Sequence, residues 1–449
     1  MQVKKLLLAL ATVIAAPSAF AVDISASPVV VTTDNIIYAT GATAQTPGVG
    51  IALGKLCASA SVAGTFITLT DGAATPVGKG WKCQVGAATT FTKLPGVTGP
   101  WIVLKNEGGS LNAITPLRNG STQNQLDVTN CTVTGTTGTC SGALVAKPEY
   151  FGLADVSSKV FAAKNQLVAQ TAGNTYVSDI AVGAGQGFGI VVSPALYTLL
   201  QADQGVGAGV PSISKAQYAS LMTQTAGFWT TLLPNGTAHA ALPLTLARRS
   251  LSSGTQASAE LFFLSNPCST GAAPIGGGLT AIVGAGGAGQ SFADGADTLI
   301  VKQEGSSDAV LAEASTTTGY AIGVVSLENP AVDPTTGTAK PWKYVAIDGI
   351  FPGTANAPEF QKKNIVNGRY AYAFETFLFK STKSTLSAAI LNNIGDFTNG
   401  IIADLGVGAN LSTSNGLFGD PLAATADLGP DTNHYSRAGN ECAPSTFQF

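Results

Sequence analysis

The stretch Arg248-Arg249-Ser250-Leu251-Ser252-Ser253-Gly254-Thr255-Gln256-Ala257-Ser258 follows a β-prone run, Leu242 to Arg248, and leads into a helix-like run from Gln256 to Leu264. That order reads as strand, turn and helix, with Ser-Gly-Thr where the helix begins. A helix starting there offers N–H groups that lack intrahelical acceptors, the positive end of the helix dipole and two hydroxyls. Such a terminus suits an anion, and Arg249 adds a planar guanidinium fork matched to a tetrahedral oxyanion. The simpler reading makes Ser253 an N-cap and Arg249 a surface charge. Two other turns combine small residues with hydroxyls, Thr40-Gly41-Ala42-Thr43-Ala44-Gln45 and Glu107-Gly108-Gly109-Ser110-Leu111-Asn112.

Outward from this stretch, strand and helix signals alternate, which predicts an α/β architecture. Strands are expected over Val29 to Ala39, Trp101 to Lys105, Phe151 to Asp155, Ile180 to Val192, Tyr320 to Ser326 and Trp342 to Ile347, with short β-prone pieces over residues 61–100. Helices are expected over Ile51 to Ala60, Gln217 to Thr225 and Ser384 to Leu405, with Phe228 and Trp229 as core anchors. Residues 268–298 form a glycine-rich insertion. It contains Gly284-x-Gly286-x-x-Gly289, but glycine is frequent throughout that tract and the preceding strand signal is short, so it reads as a surface loop rather than a dinucleotide site.

The chain has 449 residues, a length that predicts two or more lobes. Only 11% of residues are charged, against about a quarter in ordinary soluble domains, and 53 are glycine. The formal net charge of −3 excludes a nucleic-acid protein built on phosphate neutralisation, and 45% hydrophobic residues exclude charge-driven disorder. Lys4 and Lys5, the apolar run Leu6 to Ala16 and Ala19-Phe20-Ala21 read as a secretory signal peptide cleaved after Ala21. The apolar run is shorter than the roughly 18 residues a membrane span requires, no later run reaches that length, and no cysteine marks a lipid anchor. The expected product is therefore periplasmic or secreted, with no transmembrane segment after cleavage.

Six cysteines fit an oxidising compartment and allow 15 pairings. Cys131 and Cys140 read as the ends of a hairpin closed by a disulfide, and Cys57 with Cys83 would close a loop through Trp81. Cys268 with Cys442 would then tie a middle segment to the tail. A metal site is disfavoured by the absence of any Cys-x-x-Cys and by having two isolated histidines, His239 and His434. His239 reads as an exposed loop residue. There is no nucleophile elbow, phosphate-binding lysine loop, His-Glu-x-x-His or calcium-loop pattern, so the chain is expected to be non-enzymatic and without a cofactor.

The order of segments resembles the phosphate-binding (PstS-like) proteins of phosphate ABC transporters, within the type II periplasmic binding proteins. The resemblance spans residues 35–405. Gly41-Ala42-Thr43 is similar to the family's opening loop, and Phe151-Gly152-Leu153-Ala154-Asp155 to its aspartate segment. Trp229, following the Leu221 to Gly227 segment, resembles its helix-then-tryptophan element. Arg249 followed by Ser253-Gly254-Thr255 resembles its arginine and Ser-Gly-Thr element, and Asn367 to Thr376 resembles a later Glu-Thr stretch. The sequence departs from the family at Leu251, where an acid is usual, and at Glu107, which would repel an anion.

The resemblance implies a two-lobed α/β fold with a hinge and an interlobe cleft holding inorganic phosphate or a related oxyanion, delivered to an ABC permease. Residues 1–21 would be the signal peptide, 22–175 the first part of lobe I, 176–325 lobe II, and 326–449 the rest of lobe I and the tail. It implies ligand contacts from Thr43, Ala44, Ser110 and Asp155 on one wall and Arg249, Ser253, Gly254 and Thr255 on the other. A carboxylate at Asp155 would accept a hydrogen bond from a protonated phosphate oxygen and repel sulfate. Leu251, Glu107, the glycine-rich insertion and the low charge support an alternative: a secreted or surface-associated structural or adhesion protein that keeps this fold without transport.

Overall fold

The computed structural model describes residues 22–73, 77–268, 289–333, 336–353, 362–412, 416–420 and 431–447. The signal peptide, most of the glycine-rich insertion, and Gly284 and Gly286 lie outside them. The expected α/β class is what the structure has: a mixed sheet of fifteen strands among the described residues, with helices packed on it.

One strand, Tyr176–Val192, organises that sheet. Its last residues, Phe188 to Val192, are wholly buried, and such a run suits a strand covered on both faces. There it pairs antiparallel with Tyr320–Ser326, which continues in parallel to Leu244–Arg249 and then Asp297–Glu304. Its earlier residues, Tyr176 to Gly187, pair antiparallel with Ala373–Ser381. That strand leads through Phe151–Ala154 to Ile36–Gly41 and Trp101–Asn106, the last two parallel to each other. The two halves of the sheet thus share one backbone. Register shifts between Val177 and Ile180 and between Ala181 and Gly185 bend it. Gly183 sits in the second irregularity at φ +70, a conformation glycine adopts at no steric cost.

Each half has a buried apolar cluster. One gathers Ile37, Leu53, Leu56, Trp101, Phe151, Phe397 and Ile401; the other gathers Phe188, Ile190, Leu196, Phe228, Leu246 and Ile322. The second also takes in Ile114, Val160 and Phe161 from the first half of the chain, so apolar packing runs across the junction.

Several boundaries differ from expectation for local reasons. The strand expected from Val29 begins at Ile36, after a 3-10 turn over Thr33–Asn35. The Asn35 amide donates to the carbonyls of Thr98 and Pro100, and this anchorage turns the chain before the strand. The helix expected from Ser384 runs over Ala388–Leu405, because Ser387 accepts from Ile390 N and caps it. Its buried face is Ile394, Phe397, Ile401 and Leu405. The stretch expected as one strand over Trp342 to Ile347 holds two short ones, Lys343–Tyr344 and Ala346–Ile347. The end of the insertion is not loop: Gln290–Asp294 pairs antiparallel with Asp297–Glu304. His239 is half-buried rather than exposed, with its ring stacked 4.2 Å from that of Trp229.

The cysteines pair as Cys57–Cys83, Cys131–Cys140 and Cys268–Cys442, separated by 26, 9 and 174 residues. In the chain-entropy account, the longest loop stabilises by about 5 kcal/mol and the shortest by about 2.5 kcal/mol. Serine at both Cys268 and Cys442 is therefore expected to lower the thermal midpoint more than serine at both Cys131 and Cys140, measured by calorimetry. The reverse order would show that the tail is held by its packing instead.

Candidate functional site

The strand Leu244–Arg249 ends at a turn, and the helix Gly254–Leu264 starts where Ser253 accepts from Gln256 N. Ser253 is thus an N-cap, which moves the helix start two residues ahead of the expected one. By helix geometry the N–H groups of Gly254 and Thr255 have no intrahelical acceptor. Gly254 itself lies against the loop after Trp101–Asn106 and the end of Phe151–Ala154, from the other half of the sheet.

The contact there is direct. A Cβ on Gly254 would fall 2.0 Å from Ser110 Oγ and 2.7 Å from Asp155 Oδ2, so no larger residue fits. Leu111 N donates to Ser252 O at 3.0 Å, across the same junction. The Asp155 backbone N donates to Ser110 Oγ at 2.9 Å, and Gln45 Nε2 donates to Asp155 Oδ1 at 2.8 Å. Asp155 is 2% exposed, and burial raises its carboxyl pKa against the hydrogen bonds from Gln45 and Ser110 and the charges of Arg249 and Lys105.

Two cations serve this cluster. Arg249 is buried; its Nη1 donates to Ser307 Oγ at 2.8 Å and its Nη2 to Gly305 O at 3.3 Å, while its Nε has no hydrogen-bond partner. Lys105 is fully buried and donates to Ala42 O and to Thr46 Oγ1. Burial lowers both pKa values, opposed at Arg249 by Asp155, Glu328 and Asp308 and at Lys105 chiefly by Glu107 and Asp155. Glu107 does not stand alone: it accepts from Thr46 Oγ1 at 2.8 Å and lies 3.7 Å from Lys105 Nζ. Arg248 is drawn away to Glu260 at 3.4 Å.

Of the residues expected at the site, Ser110, Asp155, Ser253 and Gly254 meet, and Arg249 is close enough to Asp155 to act on its ionisation. Thr255 is buried and lines a small cavity with Arg249. Thr43 is exposed, with both its N–H and its hydroxyl on Gly108 O; Ala44 is buried beside it. Sequence reasoning missed Gln45, Lys105 and Glu328. A lysine within the apolar strand Trp101–Asn106 was the readable signal for Lys105. Glu328, just past a strand end, carries no motif. Among the described residues no three His, Cys, Asp or Glu side chains lie close enough to hold a metal ion. No helix among them is long and apolar enough to cross a membrane.

No family model matches this chain, and no curated protein matches it. Among solved structures it is similar to a protein described as a phosphate ABC transporter substrate-binding protein, with bound phosphate, from Clostridium perfringens. The identity is 12% over 81% of this chain and 92% of the other, with a TM-score of 0.37. It is also similar to an ABC-type phosphate transport receptor from Vibrio cholerae, at 12% identity over 83% of this chain and 98% of the other, with a TM-score of 0.35. At such TM-scores neither likeness bears on this chain's ligand.

Burial lifts the Glu328 carboxyl to about 7, helped by Asp155 and opposed by hydrogen bonds from Ser326 and its own backbone and by Arg249. Its proton is therefore held more tightly in the folded chain than in the unfolded one, whose reference value is 4.5. Stability from this group is complete below that value and is lost as pH rises through 7. Glu328→Gln should flatten the fall in unfolding free energy between those limits, measured by urea denaturation at several pH values. An unchanged slope would remove Glu328 from the cluster's charge balance.

Proposed function

We propose that this chain is an exported, non-enzymatic solute-binding protein that takes phosphate or a related oxyanion between the two halves of its sheet. By the resemblance of its motifs, it would serve as the substrate-binding component of an ABC uptake system. The observation that carries the reading is a buried guanidinium with an unpartnered Nε, at Arg249, beside a helix N-terminus that meets Ser110 and Asp155 from the opposite half. Orphan backbone N–H groups, hydroxyls and one or two buried cations form a donor set for an oxyanion, and it needs little net charge. The walls touch at Gly254, so the ligand enters only when they part, which makes closure around the anion the binding event. On this reading residues 22–175 and 326–449 form one lobe and 176–325 the other. The chain crosses between them twice, along the irregular strand Tyr176–Val192 and near residue 325, at the end of Tyr320–Ser326.

A second reading draws on the same junction. The direct contact of the walls, the apolar cluster spanning both halves and the Cys268–Cys442 bond all hold the halves together. They favour a secreted structural or adhesion protein that keeps the fold and has lost the ligand.

Titration calorimetry of the purified protein with phosphate and with sulfate separates the two. Saturable heat with phosphate is expected; no heat with either anion leaves the structural reading. Arg249→Ala should weaken phosphate binding by about tenfold or more, and retention of full affinity would remove Arg249 from the site. Asp155→Asn should narrow the preference for phosphate over sulfate, since the amide neither repels sulfate nor requires a protonated oxygen. An unchanged ratio would assign selectivity elsewhere.

A further inference from the structure

A cavity of about 630 Å3 lies away from the Gly254 junction, between the end of the helix Gly254–Leu264, the segment around Tyr370 and the tail. Its size is in the range of small-molecule sites, roughly 300–1,000 Å3. Aromatic rings of Phe262, Tyr370, Phe374, Phe418 and Tyr435 line it, together with three carboxylates, Glu375, Asp420 and Glu441.

The carboxylates are not alike. Glu375 is fully engaged, accepting from Ser436 Oγ, Arg437 N and Gly439 N at 2.6 to 2.8 Å. Glu441 accepts from Ser157 N through Oε2, while its Oε1 has no partner. Asp420 Oδ1 has none either. Both residues are more than nine-tenths buried, with exposures of 8% and 3%, and an unpartnered buried oxygen is costly. Arg437 does not satisfy them by hydrogen bonding: its two Nη groups donate to the carbonyls of Ala373 and Ala371, and its guanidinium lies over the Phe374 ring at 4.2 Å. Lys215 lies at 4.8 Å over Phe262. Two cationic side chains therefore face three carboxyl groups among aromatic faces, and two of the carboxyl oxygens are left without a hydrogen-bond partner.

We propose that this cavity binds a monovalent organic cation, an ammonium compound carrying an aromatic arm. The ammonium would donate to the Asp420 and Glu441 carboxyls, each turning its shielded, unpartnered oxygen toward the cavity, and the arm would pack among the rings, which themselves attract a cation through their faces. A metal ion is the poorer occupant, because the described carboxylates do not converge as a metal-binding group. Burial holds both carboxyls well above their ordinary values, so an arriving cation would draw out a proton as it binds.

The probe is tryptamine, with tryptophol and indole-3-propionate as its neutral and anionic counterparts, each titrated calorimetrically into the disulfide-bonded protein. Tryptamine is expected to saturate and to bind about tenfold or more tighter than either counterpart. Asp420→Asn and Glu441→Gln should each weaken it by about tenfold while leaving the near-ultraviolet circular dichroism and the response to phosphate unchanged. Tryptamine binding no tighter than tryptophol overturns the proposal, as does wild-type affinity in both variants. If a variant fails to fold, the contrast between amine and alcohol on the unaltered protein decides. Loss of phosphate binding alone would leave this site standing, because none of its residues belongs to the Gly254 junction.

Discussion

The backbone ladder along Tyr176–Val192 is the constraint on which the rest of the molecule depends. The strand is 17 residues long and hands its hydrogen bonds from one partner to the other along its length: Ala373–Ser381 first, Tyr320–Ser326 last. The handover falls between Gly187, the last residue paired with Ala373–Ser381, and Phe188, the first paired with Tyr320–Ser326, so one continuous backbone joins the two halves. On each side of the junction the strands beside it are largely apolar and buried. Between them lies the seam where Ser110, Asp155 and Gly254 meet.

That seam holds a cluster of buried charged groups. Arg249 and Lys105 are buried opposite Asp155 and Glu328, and each holds its charge or its proton at the expense of its neighbours. Removing one partner of such a group leaves another uncompensated in a poorly solvated place, which costs far more than a surface ion pair contributes. A protein with 11% charged residues can afford such a cluster in few places. The tail cavity is another, and there the acids outnumber the cations.

The α/β class and the strand-turn-helix at Arg249 were legible because periodicity and capping chemistry are local. Buried runs such as Phe188 to Val192 and the helix ending at Leu405 announced themselves in the same way. Legibility failed where a distant partner decides. Asn35 turns the chain through carbonyls more than sixty residues away, and the end of the insertion becomes a strand because Asp297–Glu304 offers it an edge. Lys105 and Glu328 gained their roles from a fold that brings three segments together, which no spacing encodes. His239 was misjudged for the same reason, since only the folded chain puts it against Trp229.

The disulfides carry a consequence for assembly. Six cysteines admit 15 pairings, and the native set is the one in which each cysteine joins the next along the chain: 57 to 83, 131 to 140, 268 to 442. A chain that meets an oxidant progressively from its amino end, as during translocation, reaches this set by always joining the newest thiol to the one still waiting. No bond then needs to be broken and remade by thiol exchange. The cost is a long wait at the last step, since Cys268 stays open until 174 further residues have emerged to bring Cys442 within reach.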